Sequence, residues 1–204
     1  MNMGKEKMKK AGVAMATVAF LIGMILGYVI NWAITTSEKI KEFEAGENIL
    51  QNSGFETQIA EEPAYWFKAY IPADNVTIEW DNEVKYTGER SVSIQSTHIY
   101  EETVNNNWAQ TINVVPIDRT VKLSGYAKTI DAESVVMVVQ CWDDSSNLEG
   151  FATTQGTYNI SGTTEWTQYS TSLRVPKETE SITIRLVLTG TGQVWFDDVT
   201  LVVI

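Results

Sequence analysis

The 204-residue chain is poor in the residues that most often carry chemistry: it has one cysteine, one histidine and four prolines. A lone cysteine excludes an intrachain disulfide. Cys141 lies in the apolar run Val135–Trp142 and reads as a buried small hydrophobe. His98 is the sole histidine, so a Ser-His-Asp triad would have to run through it, and nothing nearby supports one. There is no G-x-S-x-G, no H-E-x-x-H and no glycine-rich phosphate loop. A glycosidase needs two carboxylates facing each other across a cleft, about 5–10 Å apart. The pairs Asp143-Asp144 and Asp197-Asp198 are adjacent in sequence and read as turns or ion ligands. These absences point away from an enzyme.

Helix formers are also sparse beyond residue 45, where Val, Ile, Thr, Tyr and Trp dominate, as in strands. Basic charge is scarce too. The net charge is −11, and it is unevenly placed. Lys5, Lys7, Lys9 and Lys10 stand against Glu6 alone in the first eleven residues, whereas the other 11 basic and 25 acidic residues lie beyond Thr36. So acidic a body excludes nucleic acid as a partner, because that binding rests on neutralising phosphates. It suits solubility, and it can supply carboxylates to a hard cation.

Ala11–Thr35 carries no charge, and Val13–Ile34 is almost wholly apolar. About 22 residues at 1.5 Å each span roughly 33 Å, enough to cross a hydrocarbon core. The basic stretch 1–11 precedes this segment and Glu38, Glu42, Glu44 and Glu47 follow it. The positive-inside rule then puts the N-terminus in the cytoplasm and the bulk of the chain outside, on a transmembrane helix over 12–35. A cleaved leader or a pilin-type leader are the rival readings. The run is long for the first and ends without an A-x-A site, and the second lacks a Glu just inside the apolar run. Gly23 and Gly27 give a G-x-x-x-G face through which two such helices could form a homo-oligomer. Residues 36–47 read as a helical stalk stopped by Gly46.

From Asn48 onward, short β segments alternate with turn chemistry. Strands are expected over 76–80, 91–96, 108–115, 121–129, 135–142, 167–175, 181–189 and 194–203. About eight strands without a helical interruption predict an all-β fold, a two-sheet sandwich or jelly roll. Within 181–189, Ile182, Ile184, Leu186 and Leu188 share the core face, which sends Arg185 to the opposite one. Asn75-Val-Thr and Asn159-Ile-Ser match the N-glycosylation sequon.

Five segments in order resemble the carbohydrate-binding module family 4/9 type, within the galactose-binding-like jelly rolls. They are Asn48-Ile-Leu-Gln-Asn-Ser-Gly-Phe-Glu56 with Trp66 ten residues on, Tyr86–Ile94, Trp108–Val114, Leu123–Lys128 and Gly190–Leu201. The resemblance covers residues 48–204. It implies a two-sheet jelly roll and a structural Ca²⁺ where the opening loop meets the closing Asp-Asp-Val strand. Glu56 and Asp198 would supply carboxylates, and Asn52, Gly54 and the Gly88–Arg90 turn would supply carbonyls. It also implies a glycan partner, held by aromatic stacking and polar contacts. The candidates are Trp66, Trp80, Tyr100, Trp108, Tyr126, Gln140, Trp142 and Arg185, with Trp166 beside them. The expectation is therefore a membrane-anchored, non-catalytic glycan-binding domain displayed outside the cell. The alternative is a structural subunit of a surface layer, pilus-like filament or membrane complex.

Overall fold

In the computed structural model, the residues described are 41–69, 75–99 and 104–204. The membrane helix over 12–35, the Gly23/Gly27 face, residues 36–40 of the stalk and Tyr100 lie outside them. Among the described residues no helix is long and apolar enough to cross a membrane.

Eleven strands follow in order: β1 (Gln58–Ile59), β2 (Glu62–Pro63), β3 (Phe67–Ala69), β4 (Val76–Asp81), β5 (Ser91–Ser96), β6 (Asn105–Ile112), β7 (Thr120–Trp142), β8 (Leu148–Thr153), β9 (Ile160–Arg174), β10 (Ser181–Thr189) and β11 (Gly192–Val203). β1 and β2 form a small hairpin, and the other nine are linked through β7. Two expected strands, 121–129 and 135–142, are the two halves of β7. Its first half pairs with β11 and β9, and its second half with β10 and β8. Between them the register with β9 slips three times, from Ala127 to Val135, and Asp131 has a positive φ of 47°. One strand thus serves two leaves, β4-β5-β11-β7-β9 and β3-β6-β10-β7-β8, each antiparallel.

The leaves meet across an apolar core. β10 contributes Ile182, Ile184, Leu186 and Leu188, all fully buried, as the alternation predicts. β7 adds Met137, Val139 and Cys141, and β11 adds Phe196, Val199 and Leu201. The Trp108 indole of β6 donates to the Ser93 carbonyl of β5 at 3.1 Å, tying one leaf to the other. Burial pushes the Cys141 thiol up, in keeping with its reading as a small hydrophobe.

The expected helical stalk is corrected over its described end. Residues 43–47 are not helical and belong to the sandwich body. Phe43 packs against the core and its carbonyl accepts from Arg119 Nη1 at 3.1 Å. Gly46 N donates to the Val203 carbonyl at 2.8 Å, and Val203 N to that of Glu47 at 3.0 Å. Gly46, with φ of 89°, forms a turn here and is no helix stop.

Candidate functional site

The alternation that buries four residues of β10 turns Thr183, Arg185 and Val187 to the outer face of their leaf. Register places Arg185 between Ala109 of β6 and Val138 of β7. Two neighbours orient it. Nε donates to Gln140 Oε1 at 2.9 Å, and Nη1 to Asn107 Oδ1 at 3.0 Å. Asn107 is itself fixed, because its Nδ2 donates to the carbonyls of Ala69 (2.9 Å) and Asn105 (3.1 Å). Both amide hydrogens are spent, so the amide oxygen must face the guanidinium.

Apolar rings border this polar centre. Phe151 of β8, paired with Gln140, is 60% exposed, and Phe67 of β3, paired with Ala109, is 46% exposed. Trp142 ends the same face and is half-buried. Alongside runs a depression of about 360 Å³, lined by Ser134, Val136, Val138, Phe151, Val187 and Thr189 among others. No acidic residue lines it. A second depression of about 320 Å³ shares Ser134, Val136 and Gln155 with it and extends the surface to Asn159. A larger one, about 480 Å³, lies between the β1–β2 hairpin and β4, but Glu61, Glu62, Glu79, Asp81 and Glu83 line it. Its Trp80 already carries Arg90 over the ring at 4.2 Å.

The structure thus brings Gln140, Trp142 and Arg185 onto one face and separates Trp66, Trp80, Trp108 and Tyr126 from them. Trp108 has no exposure and Trp66 only 5%, so both are core residues. The Trp66 indole donates to the Asn52 carbonyl, and that ring packs on Phe55 at 5.0 Å. Half-buried Trp80 donates to the Phe55 carbonyl at 2.7 Å. Tyr126 lies on the outer face of the other leaf, stacked on Tyr86 at 3.8 Å with Trp166 nearby. The cause is the crossing of β7: a residue in its first half cannot share a face with Gln140 in its second. Asn107, Phe67 and Phe151 went unnoticed. Period-two pairing with Arg185 would have found Asn107, had the polar run Asn105-Asn106-Asn107 been read as strand.

The predicted cation ligands gather at a separate seam. Glu56 accepts the backbone N–H of Glu89 (3.0 Å) and Arg90 (3.1 Å). Thr87 Oγ1 donates to Asp198 at 2.9 Å. Gly54 lies between them: a Cβ there would stand 3.3 Å from Asp198 Oδ1 and 3.8 Å from Glu56 Cγ. A Cβ on Gly88 would collide with the Glu56 carboxylate. The Asn52 carbonyl, by contrast, already accepts the Trp66 indole and the Phe55 amide. Asp197 is fully buried beneath this seam, where burial pushes its carboxyl up to about 6 against the backbone N–H groups of Thr87, Tyr86 and Asp198. Among the described residues no three of His, Cys, Asp and Glu converge as a metal cluster.

No protein-family model and no curated protein matches the chain. Solved structures do. The CBM22-1 xylan-binding domain of Paenibacillus barcinonensis Xyn10C matches with a TM-score of 0.57 at 15% identity, over 79% of this chain and 97% of that one. A family 61 module, TmCBM61, solved with β-1,4-galactotriose, matches with a TM-score of 0.51 at 18% identity, over 78% and 99%. The enzymatically active domain of bacteriophage CBA120 tailspike protein 4 matches with a TM-score of 0.62 at 19% identity. That match covers 77% of this chain, which spans only 21% of the tailspike domain. At these identities the likeness defines the fold: a β-sandwich of the carbohydrate-binding-module jelly-roll type.

Proposed function

We propose that this chain is a non-catalytic glycan-binding domain whose site is the outer face of the β3-β6-β10-β7-β8 leaf. The observation that carries this reading is the Arg185–Gln140–Asn107 network, held rigid among exposed Phe67 and Phe151. Sugars present flat C–H faces to rings and hydroxyls to fixed donors and acceptors, and this surface offers both. Two full-length matches to modules named for xylan binding or solved with a galactotriose support it. The five sequence segments further favour the family 4/9 type.

The N-terminal segment would anchor the domain outside the membrane as a single-pass protein, with the Gly23/Gly27 face available for pairing. A structural Ca²⁺ suits the seam, whose donors are all oxygens. Glu56, Asp198 and the Thr87 hydroxyl would be the core of the set, completed by carbonyls of Gly54 and Gly88–Arg90, while the Asn52 carbonyl stays with the Trp66 indole and the Phe55 amide. Bound there, the ion would neutralise two carboxylates and clamp the opening loop to β11.

A glycan array probed with the full chain in detergent tests the function. Binding that is lost on Arg185→Ala supports it. No binding to any glycan, together with self-assembly of the chain, would favour the structural-subunit reading instead.

A further inference from the structure

Resting on the glycan-binding reading, the groove also carries information about the charge of its ligand. Arg185 is half-buried, yet both of its partners are neutral amide oxygens. Among the described residues no carboxylate forms an ion pair with it, although the chain has 26 acidic residues. A guanidinium has five N–H donors. Gln140 and Asn107 take two, leaving Nη2 and the second Nη1 hydrogen for something else. A partly desolvated cation is costly to hold without a counter-ion, and Arg is suited to bidentate capture of a carboxylate. Gln140 and Asn107 hold the fork in one orientation without neutralising it.

We infer that the groove takes a glycan bearing an isolated carboxylate, a uronic-acid residue, which pairs with the free edge of the Arg185 guanidinium. The depression beside Arg185 fits that charge, and Glu133 enters only the lining of the second depression beyond it. The adjoining depression is lined by apolar, hydroxyl and amide side chains and holds no acidic residue to repel the anion. The acidity of the rest of the chain limits how many charges the ligand can carry. A densely charged polyanion would run along a net-negative body, whereas one carboxylate seated at Arg185 is insulated from distant charges. The Debye length of about 8 Å at physiological salt screens those beyond the immediate site. A glycan with sparse uronic-acid branches on a neutral backbone is therefore favoured over polyuronate or a heavily sulfated chain.

The test uses the full chain in detergent and calorimetric titration with matched ligands. These are a neutral xylo-oligosaccharide, the same oligosaccharide with one glucuronic-acid branch, its methyl-esterified form, and a sulfated analogue. The acidic ligand should bind at least tenfold more tightly than the neutral one. Esterification should abolish the difference, and rising salt should shrink it. Arg185→Gln should bring the acidic-to-neutral affinity ratio close to one, with Arg185→Lys retaining part of it. Equal binding of acidic and neutral ligands by the unaltered chain would overturn the inference while leaving glycan binding intact. Failure of every ligand would overturn both. Tighter binding of the sulfated analogue would replace the carboxylate with a sulfate ester as the group recognised.

Discussion

Gln140 Oε1 receives the Nε–H of Arg185 at 2.9 Å, a bond that spans two adjacent strands, β7 and β10, on a surface open to solvent. It holds a flexible cation at a fixed angle before any ligand arrives, and preorganisation of that kind lowers the entropic cost of binding. Gln140→Leu keeps the size of the side chain and removes the acceptor. Immobilising a flexible side chain on binding costs roughly 0.5–1.5 kcal/mol, so without its orienting partner the glycan affinity should fall about two- to tenfold. The site is half-exposed, so the melting temperature should hardly change. Titration calorimetry alongside a thermal melt separates the two. Unchanged affinity would mean that the ligand does not use the Arg185 fork.

Trp108 makes the opposite case. It is fully buried, and its indole donates to Ser93 across the sandwich. Trp108→Phe should lose that inter-leaf bond and part of the packing, at about 1–3 kcal/mol. Glycan affinity, measured well below the new melting temperature, should stay near that of the unaltered protein. A loss of affinity in the folded variant would return Trp108 to the ligand surface.

The division between these two residues marks where sequence reasoning holds. Strict alternation in 181–189 is enough to bury four residues and expose Arg185, because the side-chain period of a strand is two. Gln140 and Trp142 follow by the same rule. Tyr126 does not, since alternation says nothing about which sheet a strand belongs to, and β7 changes sheets as one continuous strand, with Asp131 at the kink and no Gly or Pro between Ala127 and Val135 to mark it. β8 escaped notice for a different reason. Leu148-Glu-Gly-Phe-Ala-Thr153 is an edge strand exposed on both faces, with Gly150 in its middle, so it has no hydrophobic period to detect. Among the tryptophans, composition alone could not tell a stacking platform from a core ring. The burial of Trp66 and Trp108 is settled by contacts with Phe55 and Ser93, distant in sequence.

At the calcium seam, chelation supplies the measurement. A ligand present at 100 times its dissociation constant stabilises the folded state by about 2.7 kcal/mol. For a domain of this size that is a shift of roughly 5–10 °C. Scanning calorimetry should show the transition falling by that order in EDTA and recovering with added Ca²⁺. Glu56→Gln should abolish the difference between the two conditions. An identical transition with and without chelator would remove calcium from the account of this fold.

In the chelated protein, Asp197 should also leave a pH signature. Its carboxyl is raised from an ordinary 3.8 to about 6, with burial as the largest cause. The folded state then holds a proton that the unfolded chain has already lost. The stabilisation tied to that proton is fully present below pH 3.8 and is lost as pH rises through 6, at no more than about 1.4 kcal/mol per unit. Asp197→Asn cannot titrate. Denaturant unfolding at pH 4 to 7 should therefore show the protein losing stability relative to this variant as pH rises, then levelling off. A constant difference would place Asp197 in an unperturbed environment.

The bend that lets one strand serve two leaves depends on a residue outside it. Gly192, at the start of β11, has φ of 113°, a backbone region that side chains avoid. A Cβ there would lie 2.5 Å from the Asp131 carbonyl oxygen and 2.7 Å from Ala132 N. Both are backbone atoms at the kink of β7, where Asp131 itself has a positive φ. Neither can swing aside as a side chain could, so the kink and Gly192 must move together. Gly192→Ala should therefore cost more than the 1–3 kcal/mol typical of a strained backbone position. The comparison is Gly162→Ala, which also has a positive φ, 71°, but open space around it. It should show the conformational penalty alone. Denaturant midpoints for the two variants measure the difference. Equal losses would mean that the close approach at the kink contributes nothing, and that the bend in β7 is maintained by its own residues.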